Sequence, residues 1–233
     1  MPEKGENSLF PSTLVLIAAL DEEEGILPTL VELKKHLDGA RFLVVDGHSW
    51  DRTVHVAKSL GAEVVFQDGK GKGNAIAFGL RHISGEFKYV VLTDADYTYP
   101  AEYVPHMIGI LEQNPHVGMV CGNRFNSHIH IGAMRDSFYF GNRIIAFTHN
   151  LFNGVTLRDP LTGLRVIRWG ILKDWKPKSD GFDIEVELNR HVERRGFSIR
   201  EIEIDYRERV GEKKLQLKHG IPIVRRILLE NVF

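Results

Sequence analysis

The chain predicts an α/β fold on a mostly parallel, doubly wound mixed sheet. Apolar runs of strand length alternate with helix-length segments through residues 14–122, joined by short links. Several of these runs are continuously apolar, as strands covered on both faces must be. Acids recur just past the ends of the runs, where open α/β sheets hold their ligands.

Leu14–Leu20 is the first run, and Asp21-Glu22-Glu23-Glu24 leads from it into a helix reaching about Leu37. Phe42–Asp46 reads as a second strand, Asp51–Leu60 as a helix, Glu63–Gln67 as a third strand and Asn74–Ile83 as a helix. Tyr89–Thr93 is a strand running into Asp94; Pro100 precedes a helix over Ala101–Gln113, and Val117–Gly122 is a further strand. The second half is less regular. Asn126–Gly132 is a polar, His-rich loop, and Arg143–Phe152 is helical. Asp183–Arg195 is a helix with Gly196 as its stop. Leu164–Ile167 and the alternating Ser198–Tyr206 read as strands, and Ile221–Val232 as a short amphipathic helix. With no internal repeat and no low-complexity linker, residues 1–233 are expected to form one domain.

Bulk properties exclude several classes. A net charge of −1 supplies no global field for nucleic acid, so none is expected as a partner. A single cysteine, Cys121, rules out an intrachain disulfide and points to a reducing compartment; its neighbours Val117, Met119 and Val120 make it a core thiol. The apolar run Leu14–Leu20 follows acidic rather than basic residues, unlike a signal peptide. No stretch approaches the roughly 18 apolar residues that cross a bilayer. The expected location is the cytoplasm, with peripheral contact at the cytoplasmic face of a membrane open to the basic C-terminal segment. Between Tyr206 and Arg226 seven Lys/Arg stand against two Glu.

The chemistry centres on Asp94-Ala95-Asp96. Side chains of a strand alternate faces, so Asp94 and Asp96 are expected together at the carboxyl end of a core strand. Two close carboxylates repel unless a cation or proton lies between them, which predicts a divalent ion and a phosphorylated ligand on it. Asp46 ends the second strand and Glu22 lies beyond the first, so three strands bring acids to one sheet edge. Such an edge suits ribose hydroxyls, base edges and metal; the plain alternative for each acid is a helix cap or a solvated turn. Gly69-Lys70-Gly71-Lys72-Gly73-Asn74 opens a helix whose N-terminus could receive phosphate, although the spacing fits neither a P-loop nor the dinucleotide fingerprint. By itself it is more simply a mobile surface loop. Arg124, Arg135, Arg165 and Arg209 are candidate phosphate partners. His128 and His130 lack a third zinc ligand, and Ser137, Ser179 and Ser198 lack a nucleophile elbow.

Taken together, these motifs resemble family-2 glycosyltransferases, and within them the dolichol-phosphate mannose synthases and other polyprenyl-phosphate glycosyltransferases. Ala19-Leu20-Asp21-Glu22-Glu23 resembles the family's opening Asn-Glu motif, and Val45-Asp46-Gly47-His48-Ser49-Trp50-Asp51 its "DDGSTD" turn. Gly71-Lys72-Gly73-Asn74-Ala75 is similar to "GKGxA", and Asp94–Glu102 to the metal-binding "DADxxxPxE". Gly122-Asn123-Arg124, Gly141-Asn142, Asp159–Arg165, Gly181-Phe182-Asp183 and Arg209–Leu215 continue the match. Gly47, Thr98 and Lys213 depart from it. The resemblance implies a glycosyltransferase-A (Rossmann-like) domain, its nucleotide-sugar-binding half at 1–122 and its acceptor-binding half at 123–233. It implies Mg²⁺ or Mn²⁺ on Asp94 and Asp96, and a nucleotide sugar, GDP-mannose or a UDP-sugar, held by Ala19, Leu20, Glu22, Asp46, Lys72, Asp94, Ala95 and Asp96. It implies a polyprenyl (dolichyl) phosphate acceptor positioned by Arg124, Arg135, Arg209 and Lys214, with Asp94, Asp96 and Arg124 catalytic and inversion at the anomeric carbon. Hexosyl transfer, first of all of mannose, follows as the expected activity. The alternatives are a UDP-sugar enzyme with another lipid or soluble acceptor, a "DxDxT" phosphohydrolase on Asp94–Thr98, and a non-catalytic sugar-nucleotide-binding protein.

Overall fold

The computed structural model describes residues 9–125, 146, 148, 150, 156–211 and 220–229. Its strands are β1 (Thr13–Ala19), β2 (Arg41–Asp46), β3 (Glu63–Phe66), β4 (Tyr89–Asp94), β5 (Val117–Asn123), β6 (Arg165–Arg168) and β7 (Ser198–Glu203). Its helices are α1 (Glu23–His36), α2 (Thr53–Ser59), α3 (Lys72–His82), α4 (Val104–Gln113), α5 (Trp169–Leu172), α6 (Ile184–Arg194) and α7 (Gly220–Leu229). The expected elements are present within a few residues of their expected bounds, and short α5 is additional. The helix expected from Ala101 begins as a 3₁₀ turn over Ala101–Tyr103 before α4. Of the helix expected over Arg143–Phe152, the described residues 146, 148 and 150 are helical; the His-rich loop, with His128 and His130, lies outside the described residues.

The seven strands form one sheet in the order β3-β2-β1-β4-β6-β5-β7. Pairs β1–β2, β1–β4, β2–β3 and β5–β7 are parallel, whereas β6 is antiparallel to both neighbours. The mixed character is thus confined to β6 among the described strands. Alternation covers both faces, as doubly wound folds require. Val15, Ile17, Val44 and Val91 pack with Ile26, Leu30, Met107 and Leu111 of α1 and α4. Leu14, Leu16, Val90 and Leu92 pack on the other face with Ile76, Leu80, Ile184 and Leu188 of α3 and α6. Burying such side chains contributes about 1.5–3 kcal/mol each.

This topology sets the position of the site. The chain runs from β1 out to β2 and β3, then crosses back to β4 on the other side of β1. The gap between β1 and β4 is therefore a switch point, the place where ligands enter such sheets. Register brings Ala19 opposite Asp46 and Ala18 opposite Asp94, so the two acids flank the end of β1.

The glycine-rich turn before α3 is docked against the protein rather than free. The N–H groups of Gly73 and Asn74, in the first turn of α3, donate to the Asp180 carbonyl at 2.9 and 3.2 Å. A Cβ added at Gly73 would lie 2.1 Å from the Ser179 carbonyl oxygen. The glycines thus admit a second backbone, and the helix N-terminus expected to receive phosphate is already capped.

At the far end, Ile223 and Ile227 of α7 are buried against Val186 of α6, and Arg226 donates to Asp183 at 3.0 Å. Those two apolar side chains of the segment for which membrane contact was left open therefore face the domain itself. No helix among the described residues is long and apolar enough to cross a membrane.

Two outcomes follow. Gly73→Ala improves intrinsic helix propensity yet should lower stability by roughly 1–3 kcal/mol, because the methyl group meets backbone that cannot yield; denaturant unfolding reads the sign. Cys121 is 1% exposed and burial pushes its thiol up to about 12. Its labelling by iodoacetamide at pH 8 should therefore proceed only through unfolding, with a rate that rises with urea.

Candidate active site

The acids at the sheet edge are held by interlocking turns. Asp46 is fully buried at the end of β2 and accepts from the Ser49 backbone N–H at 2.8 Å and its hydroxyl at 2.6 Å. Ser49 Oγ in turn accepts from the Asp21 N–H at 2.8 Å, and the Asp21 carboxylate accepts from Trp50 N–H at 2.8 Å. Ala19 contributes its carbonyl to Gly47 N–H at 2.8 Å. These bonds tie the loop after β1 to the loop after β2. Leu20 and Trp50 stand exposed at the rim. Asp46 therefore sits behind the surface as the organiser of this turn, with Leu20 in front.

Asp21, His48 and Tyr97 are the non-glycine residues with positive φ among the described residues, at 49°, 67° and 63°. Each lies just beyond the carboxyl end of β1, β2 or β4. Left-handed backbone costs about 1–3 kcal/mol for such residues and gathers where structure over-determines it, often at ligand sites.

The turn at Tyr97 corrects the expectation for the aspartate pair. Strand β4 ends at Asp94, so pleat alternation does not carry through to Asp96. Instead Thr29 of α1 accepts from Tyr97 N–H at 3.0 Å and donates to the Ala95 carbonyl at 3.3 Å, folding the chain toward α1. Asp94 stays on the α3/α6 side and Asp96 turns to the α1 side. They remain close enough that Asp94 helps raise the pKa of Asp96: burial is the larger cause, Asp94 the next, with Arg209 and Thr98 pulling the other way.

Each aspartate meets its own cation. Lys72 Nζ lies 2.6 Å from Asp94 Oδ1 and 2.8 Å from Glu185 Oε1 of α6. Burial alone would push Lys72 down, but the charges of Asp94 and Glu185 reverse this and raise it, so the ammonium is fully charged. Arg209 Nη1 lies 2.7 Å from Asp96 Oδ2, and Nη2 contacts Glu22 Oε1. Thr98 hydroxyl donates to Asp96 Oδ1 at 2.6 Å. Four carboxylates (Glu22, Asp94, Asp96, Glu185) thus face two cations (Lys72, Arg209) in the described cluster. The excess negative charge matches one divalent ion, and carboxylate oxygens suit hard cations such as Mg²⁺ or Mn²⁺. Gly163 keeps the approach to Asp94 clear: a Cβ there would lie 2.5 Å from Asp94 Oδ2.

The remaining basic candidates divide sharply. Arg124 makes a two-pronged pair with Asp159, Nε to Oδ2 at 2.6 Å and Nη2 to Oδ1 at 2.7 Å, with its guanidinium 5.2 Å from the centre of the Tyr206 ring. Arg165 is 1% exposed inside β6 and donates to the carbonyls of Thr162 and Pro160 and to Asn189. It fastens the 160–163 turn to α6 and is a core strut, not a phosphate partner at a strand end. Arg135 and Lys214 lie outside the described residues.

Glu185 and Glu187 were not singled out from the sequence, and Ser49 and Asp159 stood only inside motifs with no role of their own. Glu187 accepts from the backbone N–H groups of Lys178 and Ser179, each at 2.8 Å, and from the Ser179 hydroxyl at 2.6 Å, holding the loop that caps α3. A signal existed: Glu185, Leu188, Asn189 and Val192 share one helical stripe, and polar residues inside an apolar stripe mark buried polar work.

Fold and site together define a glycosyltransferase of the GT-A architecture. The chain belongs to glycosyltransferase family 2: the model described as Glycosyl transferase family 2 matches residues 14–175. A dolichyl-phosphate hexose transferase of Haloferax volcanii is 32% identical over 209 residues, spanning 88% of this chain and 87% of its own. A low-salt glycan biosynthesis hexosyltransferase of that organism is 28% identical over 215 residues, 91% of this chain and 51% of its own length. Among solved structures, glucosyl-3-phosphoglycerate synthase from Mycobacterium tuberculosis in complex with uridine diphosphate superposes with a TM-score of 0.75. That match has 21% identity and covers 95% of this chain and 80% of the synthase, a likeness of fold. Membership of this family removes the phosphohydrolase and non-catalytic readings.

Arg207 anchors the segment that carries Arg209. Its guanidinium binds Glu32 of α1 through two bonds of 2.6 and 2.9 Å. Burial raises the Glu32 carboxyl, but the bond and charge of Arg207 outweigh it, leaving the pKa below its ordinary 4.5. A carboxylate so lowered stabilises the fold above its unfolded pKa and loses that contribution as pH falls through the folded one. Glu32→Gln should therefore melt below the parent at pH 7, with the two curves converging below pH 4.5; calorimetry across that range reads it.

Proposed function

We propose that this domain transfers a hexosyl group from a nucleotide sugar to a polyprenyl (dolichyl) phosphate with the help of a divalent cation. The observation that carries this reading is the charge-imbalanced cluster at the β1/β4 switch point, where Asp94 and Asp96 are each held by one cation. The similarity to a dolichyl-phosphate hexose transferase along most of both chains supports the acceptor and the hexose. The resemblance to mannose synthases supports mannose from GDP-mannose as the donor, with a UDP-sugar as the alternative.

In this reading Asp94 and Asp96 would hold Mg²⁺ or Mn²⁺, which when bound neutralises charge on the departing nucleoside diphosphate. Ala19, Leu20, Glu22 and Ala95, around the end of β1, would meet the nucleotide sugar, with Asp46 fixing the turn beside them. Lys72, charged and buried, stands ready for the donor's diphosphate. A phosphate monoester is already anionic at neutral pH, so its oxygen attacks the anomeric carbon without a strong general base. The bond to the diphosphate oxygen breaks as the new one forms. The acceptor side requires cationic positioning, which Arg209 supplies, with Arg124, Arg135 and Lys214 as further candidates. Arg124 acts from a fixed place, set by Asp159.

The test is a panel of radiolabelled nucleotide sugars, including GDP-mannose and UDP-glucose, incubated with the full chain, dolichyl phosphate and Mg²⁺ or Mn²⁺. Labelled lipid should form with one donor, vanish with chelator, and fall at least about a hundredfold in Asp96→Asn, as losses at metal centres do. Equal rates in parent and Asp96→Asn, or label appearing only in water-soluble product, would overturn the reading.

A further inference from the structure

We propose that Arg209 is a built-in competitor of the divalent cation: it occupies Asp96 until the cation displaces it, and the displaced guanidinium becomes the partner of the acceptor phosphate. The inference rests on the functional reading above, which places a cation on Asp94 and Asp96.

The three described arginines among the candidate phosphate partners differ in how fully they are engaged. Arg124 uses Nε and Nη2 on both oxygens of Asp159. Arg165 uses Nε, Nη1 and Nη2. Arg209 uses Nη1 and Nη2, while its Nε is buried with no acceptor among the described residues. A buried donor left unmade is costly, and a guanidinium with a free Nε edge is shaped for the oxygens of a phosphate. Arg209 is thus the arginine with a reason to move.

It can do so cheaply. Val210 N–H donates to the Asp96 carbonyl at 3.1 Å and Arg207 N–H to the Thr98 carbonyl at 3.0 Å. Arg207 is clamped to Glu32 as well. The backbone of 207–210 is therefore fixed beside Asp96, and only the side chain need rotate. A cation on Asp96 and a guanidinium on the same carboxylate repel, so binding of one weakens the hold of the other. Release leaves the guanidinium next to the cation site, where a phosphate would meet it. Cation and phosphate binding are then coupled through Arg209, and the coupling is reciprocal.

The test is calorimetric titration of the full chain with Mn²⁺, with and without farnesyl phosphate. Removing a competitor tightens binding, so Arg209→Gln should bind Mn²⁺ about tenfold more tightly than the parent, within the usual range of coupling. Arg209→Lys keeps the charge that the fold experiences but loses the planar guanidinium fork on Asp96 and Glu22, and should fall between the two. Farnesyl phosphate should tighten Mn²⁺ binding to the parent more than to Arg209→Gln. Unchanged or weaker Mn²⁺ binding in both variants would overturn the proposal, because that is what a mere support for Asp96 predicts. Equal tightening by farnesyl phosphate in parent and Arg209→Gln would do the same. Asp96→Asn separates the two levels: it should abolish Mn²⁺ binding, and if it binds like the parent the cation site itself is misplaced and the functional reading fails with it.

Discussion

A surplus of negative charge at the end of β4 governs this structure. Taking carboxylates out of water costs several kcal/mol each unless a partner restores what hydration supplied. Lys72 and Arg209 restore part of it for Asp94, Asp96, Glu22 and Glu185, and they come from opposite directions. Lys72 reaches in from α3 with Glu185 of α6 behind it; Arg209 reaches in from the segment after β7 with Glu22 at the start of α1. The four acids therefore tie together the two helical layers and the first and last parts of the sheet. Among the described residues, acids outnumber cations in this cluster by two.

The layers behind the cluster are arranged to keep it in place. On one side, Glu187 holds the 178–179 backbone, the 180 carbonyl caps α3, and α3 presents Lys72. On the other, Glu32 clamps Arg207, whose neighbours run along residues 96–98 and present Arg209. Both supports combine a buried or half-buried carboxylate with backbone N–H groups. Such bonds give position rather than reactivity, and they explain why α6 carries acids on a face that packs into the core.

Much of this was legible in the residues. The apolar runs named the strands, and the alternation of runs and helices named the doubly wound sheet. Asp94, Glu22 and Asp46 were placed on one edge correctly, because a strand's end follows from where its apolar run stops. The glycine-rich turn reads from sequence as a mobile loop, with a phosphate-receiving helix start as the other reading. Glycine signals that something approaches the backbone closely, and here the visitor is the chain's own residues 179–181. The direction of β6 was equally hidden: Arg-Val-Ile-Arg is the same pattern read either way, and direction depends on the route of the preceding loop.

By itself the sequence determined the fold class, the edge of the sheet that carries the chemistry, and the family to which these motifs belong. These follow from periodicity and from residue types at strand ends, which are local properties. Only the tertiary structure decided which cation meets which acid. Lys72 with Glu185, Arg124 with Asp159, and Arg209 with Asp96 and Glu22 join residues from 35 to 187 positions apart. No local pattern encodes such partners, because they are chosen by the crossing of layers and by a single left-handed turn at Tyr97 that sends Asp96 away from the face its strand predicts.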